Sequence, residues 1–148
     1  MVSYGPNSSV KYVTTYFRKT FSIPDVNAYP GYSLRIKRDD GVILYVNGTE
    51  VFRQNFNEGS ISSSTLAYAA VSESEEGQYL EALLKPNQFA SGNNTFAVEI
   101  HQSSVSSSDI SFDLDGVPSV GSRMPVGDHH IAVRHRNHLG PCRSLQRI

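Results

Sequence analysis

The chain has 148 residues, 39% of them hydrophobic and 18% charged, and a formal net charge of −1. That length is one domain's worth, able to bury about 70% of its unfolded surface without disulfide staples. The balance excludes collagen-like and highly charged disordered chains, and no apolar run approaches the roughly 18–20 residues of a membrane-spanning helix.

Met1-Val-Ser-Tyr-Gly-Pro6 has neither the basic nor the apolar stretch of a signal peptide, so any export signal is expected to have been removed or to lie upstream in a longer parent. The stretch from Tyr12 to Phe21 is rich in β-branched and aromatic residues. Val13, Phe17 and Phe21 share one parity, which predicts a long strand stopped by Pro24 and Asp25. Tyr32, Leu34 and Ile36 then alternate with Ser33, Arg35 and Lys37, the pattern of a strand with one wet, cationic face. Between Val42–Val46 and Thr49–Arg53 stands Asn47-Gly48, the residue pair that supplies the two positive φ angles of a type I′ turn. A tight hairpin follows from it.

Residues 59–77 are rich in Ser and Glu and read as loop, with one short strand expected at Thr65–Tyr68. Gln78–Leu84 fits either a strand or a helical turn by periodicity; its strand neighbours and Pro86 favour a strand. In Thr95–His101, Phe96, Val98 and Ile100 face inward, and Ala97, Glu99 and His101 outward. Ile110, Phe112 and Leu114 repeat this against Ser111, Asp113 and Asp115. Seven or eight such strands between turn signals predict an all-β fold, an antiparallel β-sandwich of jelly-roll type.

Charge divides the chain. Residues 1–116 hold 8 Lys and Arg against 13 acids, whereas residues 117–148 hold 5 Arg against Asp128 alone, together with four of the five His. The expected organisation is a sandwich domain over 1–116 and a basic tail over 117–148 that adds a strand or wraps the sandwich edge. Five Arg without a recognition module do not make a nucleic-acid interface. Lone Cys142 excludes an internal disulfide and a cysteine-built zinc site.

Tyr16-Phe-Arg-Lys-Thr-Phe21, Arg38-Asp-Asp-Gly41, Tyr45-Val-Asn-Gly-Thr-Glu-Val-Phe-Arg53, the run Ser91 to Ser103 and Ser107-Ser-Asp-Ile-Ser-Phe-Asp-Leu114 together resemble a galactose-binding-like jelly-roll module over residues 12–115. Such modules accompany catalytic domains in secreted multidomain bacterial proteins. The resemblance implies a non-catalytic accessory role, secreted or at the cell surface, with carbohydrate or a neighbouring domain as partner, and often a structural calcium. Gly127–Gly140 is similar to a strand-and-turn segment of large bacterial surface proteins in which more sequence follows. A truncated or fused end is therefore expected.

Site candidates follow from chemistry. Asp39-Asp40-Gly41 offers hard oxygen ligands beside a tight backbone, suited to calcium; the alternative is a turn whose carboxylates cap amides. Asp109, Asp113 and Asp115 form a second acidic set without the ligand ladder of an EF-hand, read as a wet strand face. Sugar recognition needs a flat aromatic surface with fixed donors and acceptors. Tyr29, Tyr45, Phe56, Tyr68 and Tyr79 are candidates for the surface, and Arg53, Glu99, His101 and Gln102 for the polar contacts; the absence of Trp removes the largest stacking area. His129, His130, His135 and His138 lack zinc spacing and read as a basic strand meeting an acidic neighbour. Neither a nucleophile elbow nor a phosphate-cradling Gly loop occurs. The alternative function is a structural or adhesive docking module that ignores sugars, and the third is a hydrolase using the acidic face around Asp113.

Overall fold

Eight strands carry the described part of the chain, which in this computed structural model comprises residues 5, 7, 9–119 and 133–137. They are β1 (Thr14–Ile23), β2 (Gly31–Arg38), β3 (Gly41–Val46), β4 (Thr49–Gln54), β5 (Leu80–Leu84), β6 (Gly92–His101), β7 (Ile110–Ser119) and β8 (Val133–Asn137). A single helical turn, α1 (Glu73–Glu76), lies in the β4–β5 connection. The strands form two antiparallel four-stranded sheets, ordered β1-β6-β3-β4 and β5-β2-β7-β8. This is an all-β sandwich. Among these elements the chain changes layer at every connection except β3–β4 and β7–β8.

Alternation in the sequence becomes the core directly. Leu34 and Ile36 from β2, Val42 and Leu44 from β3, Val98 and Ile100 from β6, and Phe112 and Leu114 from β7 are all buried between the layers. Each contributes about 1.5–3 kcal/mol through loss of apolar surface. Phe17 and Phe21 of edge strand β1 reach in from the side, stacked on Phe112 at 4.8 Å and Phe96 at 4.4 Å. A Cβ at residue 116 would lie 2.9 Å from Leu34 Cδ2, so Gly116 on β7 lets Leu34 seat.

The Asn47-Gly48 turn forms as expected, with φ of 51° and 85°. It is also stitched to β6: Asn47 Nδ2 donates to Asn94 Oδ1 at 2.8 Å, and Thr95 N donates to Asn47 Oδ1 at 2.9 Å. Residues 78–84 do supply a strand, β5. Thr65–Tyr68 does not, because its amides bond to separate elements: Ala67 N to Gln102 O and Tyr68 N to Asn55 O.

The outer face of the second sheet is not the wet face expected for Asp113 and Asp115, both of which are buried. Asp115 pairs with Arg35, and Asp113 accepts from the Tyr79 hydroxyl at 2.9 Å. Arg35 and Lys37 lie over the Tyr79 ring at 4.9 and 4.5 Å, so the cations of β2 stand among aromatic and acidic partners. β8 continues this sheet, with Arg134 in register with Asp113 and His135 with Phe112. His129, His130, His138 and Cys142 lie outside the described residues.

Candidate functional site

The β2–β3 turn, Asp39-Asp40, gives its two carboxylates opposite tasks. Asp40 is 2% exposed. Its Oδ1 accepts from Val71 N at 2.8 Å and its Oδ2 from Ser103 N at 2.7 Å, while its main-chain oxygen accepts from Asn55 Nδ2 at 3.2 Å. The two carboxylate bonds are charge-assisted and reach two different connections, so Asp40 is a structural tie. Asp39 is 3% exposed, and its Oδ2 has no hydrogen-bond partner. Burial first, then Asp40, then the charges of Glu76 and Asp109, push its carboxyl up to about 8.

Carboxylate oxygens of Asp39, Glu76 and Asp109 lie within 4.8 Å of one another. Arg38 is the neighbouring cation. Burial lowers its guanidinium pKa against the pull of Glu75, Asp40, Asp39 and Glu76, and its Nε donates to Gln54 Oε1 at 3.0 Å. Calcium requires several oxygens that are not already engaged. Asp39 Oδ2 has no hydrogen-bond partner, whereas both Asp40 oxygens are occupied by amides.

A second cluster stands on the outer face of the first sheet. Register sets Glu99 of β6 between Tyr16 of β1 and Ile43 of β3, with Arg53 of β4 opposite Ile43. Tyr45 lies one step along, opposite Ala97 and Glu50. Arg53 is held in a fork by Glu50, Nε to Oε1 at 2.9 Å and a terminal nitrogen to Oε2 at 2.7 Å, and its other terminal nitrogen donates to Gly59 O at 3.0 Å. Burial, then the adjoining Glu99 carboxylate, raise the Tyr45 hydroxyl above its ordinary value.

His101 continues that face but is 0% exposed. Residues 55–68 fold over it. The Phe56 ring meets it edge-on at 5.0 Å, Nδ1 lies 2.7 Å from Thr65 O, and Nε2 lies 3.1 Å from Glu99 Oε2. Thr14 Oγ1 is 3.1 Å from Nδ1, yet it donates to Ser63 O at 2.8 Å. A Cβ at residue 41 would lie 2.8 Å from Phe56 Cζ, so Gly41 makes room for the covering ring.

Of the residues expected to contact a ligand, the fold therefore brings half-buried Tyr45 and Glu99 and exposed Arg53 together on the outer face of the first sheet, with His101 under cover beside them. Tyr68 stands on the covering segment, 70% exposed. Gln102 sits past the strand end, donating from its main chain to Val13 O at 2.8 Å and from Nε2 to Asp109 O at 2.7 Å. Tyr79 precedes β5 and packs on the opposite sheet, by Lys37 and Asp113, and Tyr29 packs edge-on against Tyr32. The sequence reading missed Glu76. Its signal was present in Ser72-Glu-Ser-Glu75, a capping box that starts a helical turn and is realised here by bonds from Ser72 N and Oγ to Glu75 Oε2.

No protein-family model and no curated protein matches the chain. Among solved structures the chain is similar to an alpha-L-rhamnosidase of Streptomyces avermitilis, solved with L-rhamnose, at 19% identity and a TM-score of 0.43; the match covers 86% of this chain and 13% of the rhamnosidase. The described residues hold no helix long and apolar enough to cross a membrane.

Proposed function

We propose that this domain is a non-catalytic carbohydrate-binding module of the galactose-binding-like jelly-roll kind, serving a neighbouring domain of a secreted or cell-surface bacterial protein. The observation that carries this reading is the cluster of Tyr45, Arg53 and Glu99 on the outer face of one sheet. A phenol ring offers a surface to the apolar side of a sugar. The fixed guanidinium and carboxylate offer a donor and an acceptor to its hydroxyls. Thr14 gives its proton to Ser63 O, so His101 does not activate it as a nucleophile.

Glycan arrays and affinity electrophoresis in polysaccharide gels, with calcium supplied, test the reading. Retention by at least one glycan that is lost in Tyr45→Ala and Arg53→Ala is the expected result. Blank arrays, or retention indifferent to both variants, overturn it. A docking module remains the second reading because Leu83 is 74% exposed on edge strand β5. That reading predicts sugar-independent association in sedimentation velocity, weakened by Leu83→Lys.

A further inference from the structure

We propose that β5 is the contact through which two copies of this chain pair edge to edge and antiparallel, about a two-fold axis at Leu83. The inference rests on the docking reading, whose partner it names, and is independent of sugar binding. β5 lies at the edge of the second sheet, and its outward residues Glu81 and Leu83 are exposed. Lys85, also exposed, continues the extended backbone with φ −89° and ψ 154°. An exposed edge with an apolar side chain on it is a template for a further strand.

Charge complementarity selects a second copy as the occupant. In an antiparallel pair with two-fold symmetry the residue on the axis faces itself, and residues equally far to either side face each other. With the axis at Leu83, the two leucines meet, Glu81 of each copy faces Lys85 of the other, and small Ala82 faces Leu84 on the inner side. Glu81 is in register with Arg35, and Arg35 with Asp115, so Lys85 of the second copy extends a row of alternating sign across the sheet. Moving the axis to Ala82 sets Leu83 against Glu81, and moving it to Leu84 sets Leu83 against Lys85. Both neighbouring registers place a charge against the apolar side chain. The Lys85 amide is held by Gln88 Oε1 at 2.8 Å, so Lys85 contributes its side chain rather than a ladder bond.

The other edges are blunted. Lys19 of β1 has the inward parity of Phe17 and Phe21, yet it is exposed. The β3–β4 pairing shifts register between Leu44 and Tyr45, and β8 holds Arg134 and Arg136 without an acid. Inward charge, irregular register and like charge each work against a further strand. β5 turns only apolar Leu80, Ala82 and Leu84 toward the core.

The test is sedimentation of the full chain, without glycan, at concentrations up to about 1 mM. One strand pair falls short of a standard interface of about 1,600 Å², so a weak dimer is expected, with Kd of about 0.01–1 mM. Glu81→Lys and Lys85→Glu each set like charges together twice in the dimer. Each should weaken it by roughly tenfold, at unchanged circular dichroism and Tm. An equimolar mixture of the two variants rebuilds both opposite-charge pairs in the mixed dimer, and the double variant does so in its own; both should return to within about threefold of the parent. Absence of a dimer at about 1 mM overturns the pairing. So does a dimer lost in both variants and not restored by mixing. Association weakened by Leu83→Lys but indifferent to both charge reversals keeps the docking reading and overturns this register. A blank glycan array leaves the dimer standing.

Discussion

At the scale of single residues, neighbouring identical side chains do different work. Asp40 faces two amides and a buried interior, so replacing one of its oxygens by an NH2 group sets donor against donor. Asp40→Asn is expected to destabilise the fold by about 2–4 kcal/mol in urea denaturation; a loss below about 0.5 kcal/mol, the ordinary cost at a solvated turn, would refute the tie. Tyr45 gives a pH-dependent counterpart. Burial and then Glu99 favour its neutral phenol, so the folded pKa stands above the unfolded one. Its contribution to stability is therefore complete below the ordinary tyrosine value and is lost as pH rises through the higher folded value. In ultraviolet titration, Tyr45→Phe should remove a late-titrating phenol and Glu99→Gln should bring it back toward its usual range; an unchanged curve in Glu99→Gln would show that Glu99 does not act on it. The Asp-Asp-Gly run was legible as special, since two carboxylates before a glycine have few ordinary uses. Which carboxylate meets amides was not legible, because Val71 and Ser103 lie 31 and 63 residues away.

Among the elements, the hairpin was the most legible because its cause is local. Asn47 and Gly48 adopt positive φ at little cost, and the flanking alternation fixes which face turns inward. The sequence did not disclose that the Asn47 side chain also holds β6, through Asn94 and the Thr95 amide. Asn47→Ala should thus cost about 1–2 kcal/mol, more than Asn47→Gly, which relieves the backbone strain but loses the same bonds. Equal costs in chemical denaturation would show that backbone conformation contributes nothing there. Thr65–Tyr68 failed as a strand for the converse reason. Its composition suits a strand, but no single neighbour runs alongside it: Gln102 takes one amide and Asn55 another. A propensity without a partner strand gives an ordered cover over His101, and the candidate surface beside Tyr45 is bounded by that cover.

For the molecule as a whole, the path of the chain decides how folding must proceed. Strand β1 pairs with β6, Thr14 opposite His101, and β2 pairs with β7, Ile36 opposite Leu114, so both layers close on strands that arrive late in the sequence. The β3–β4 hairpin is the one early pairing between consecutive strands in the first sheet, and an isolated hairpin is marginal in water. Loop closure over such separations must precede the burial that rewards it. Refolding is therefore expected on the millisecond-to-second scale typical of all-β sandwiches rather than in microseconds. Deleting everything after residue 90 removes β6 from between β1 and β3 and should leave an unfolded chain by circular dichroism. Ile100→Val, a trimmed methyl at the centre of the same sheet, should cost about 0.5–1.5 kcal/mol. Stopped-flow measurement would show that loss partly as slower folding if β6 docks in the transition state, and wholly as faster unfolding if it docks afterwards. Cooperative folding of the fragment lacking β6 would contradict the dependence of both β1 and β3 on this central strand.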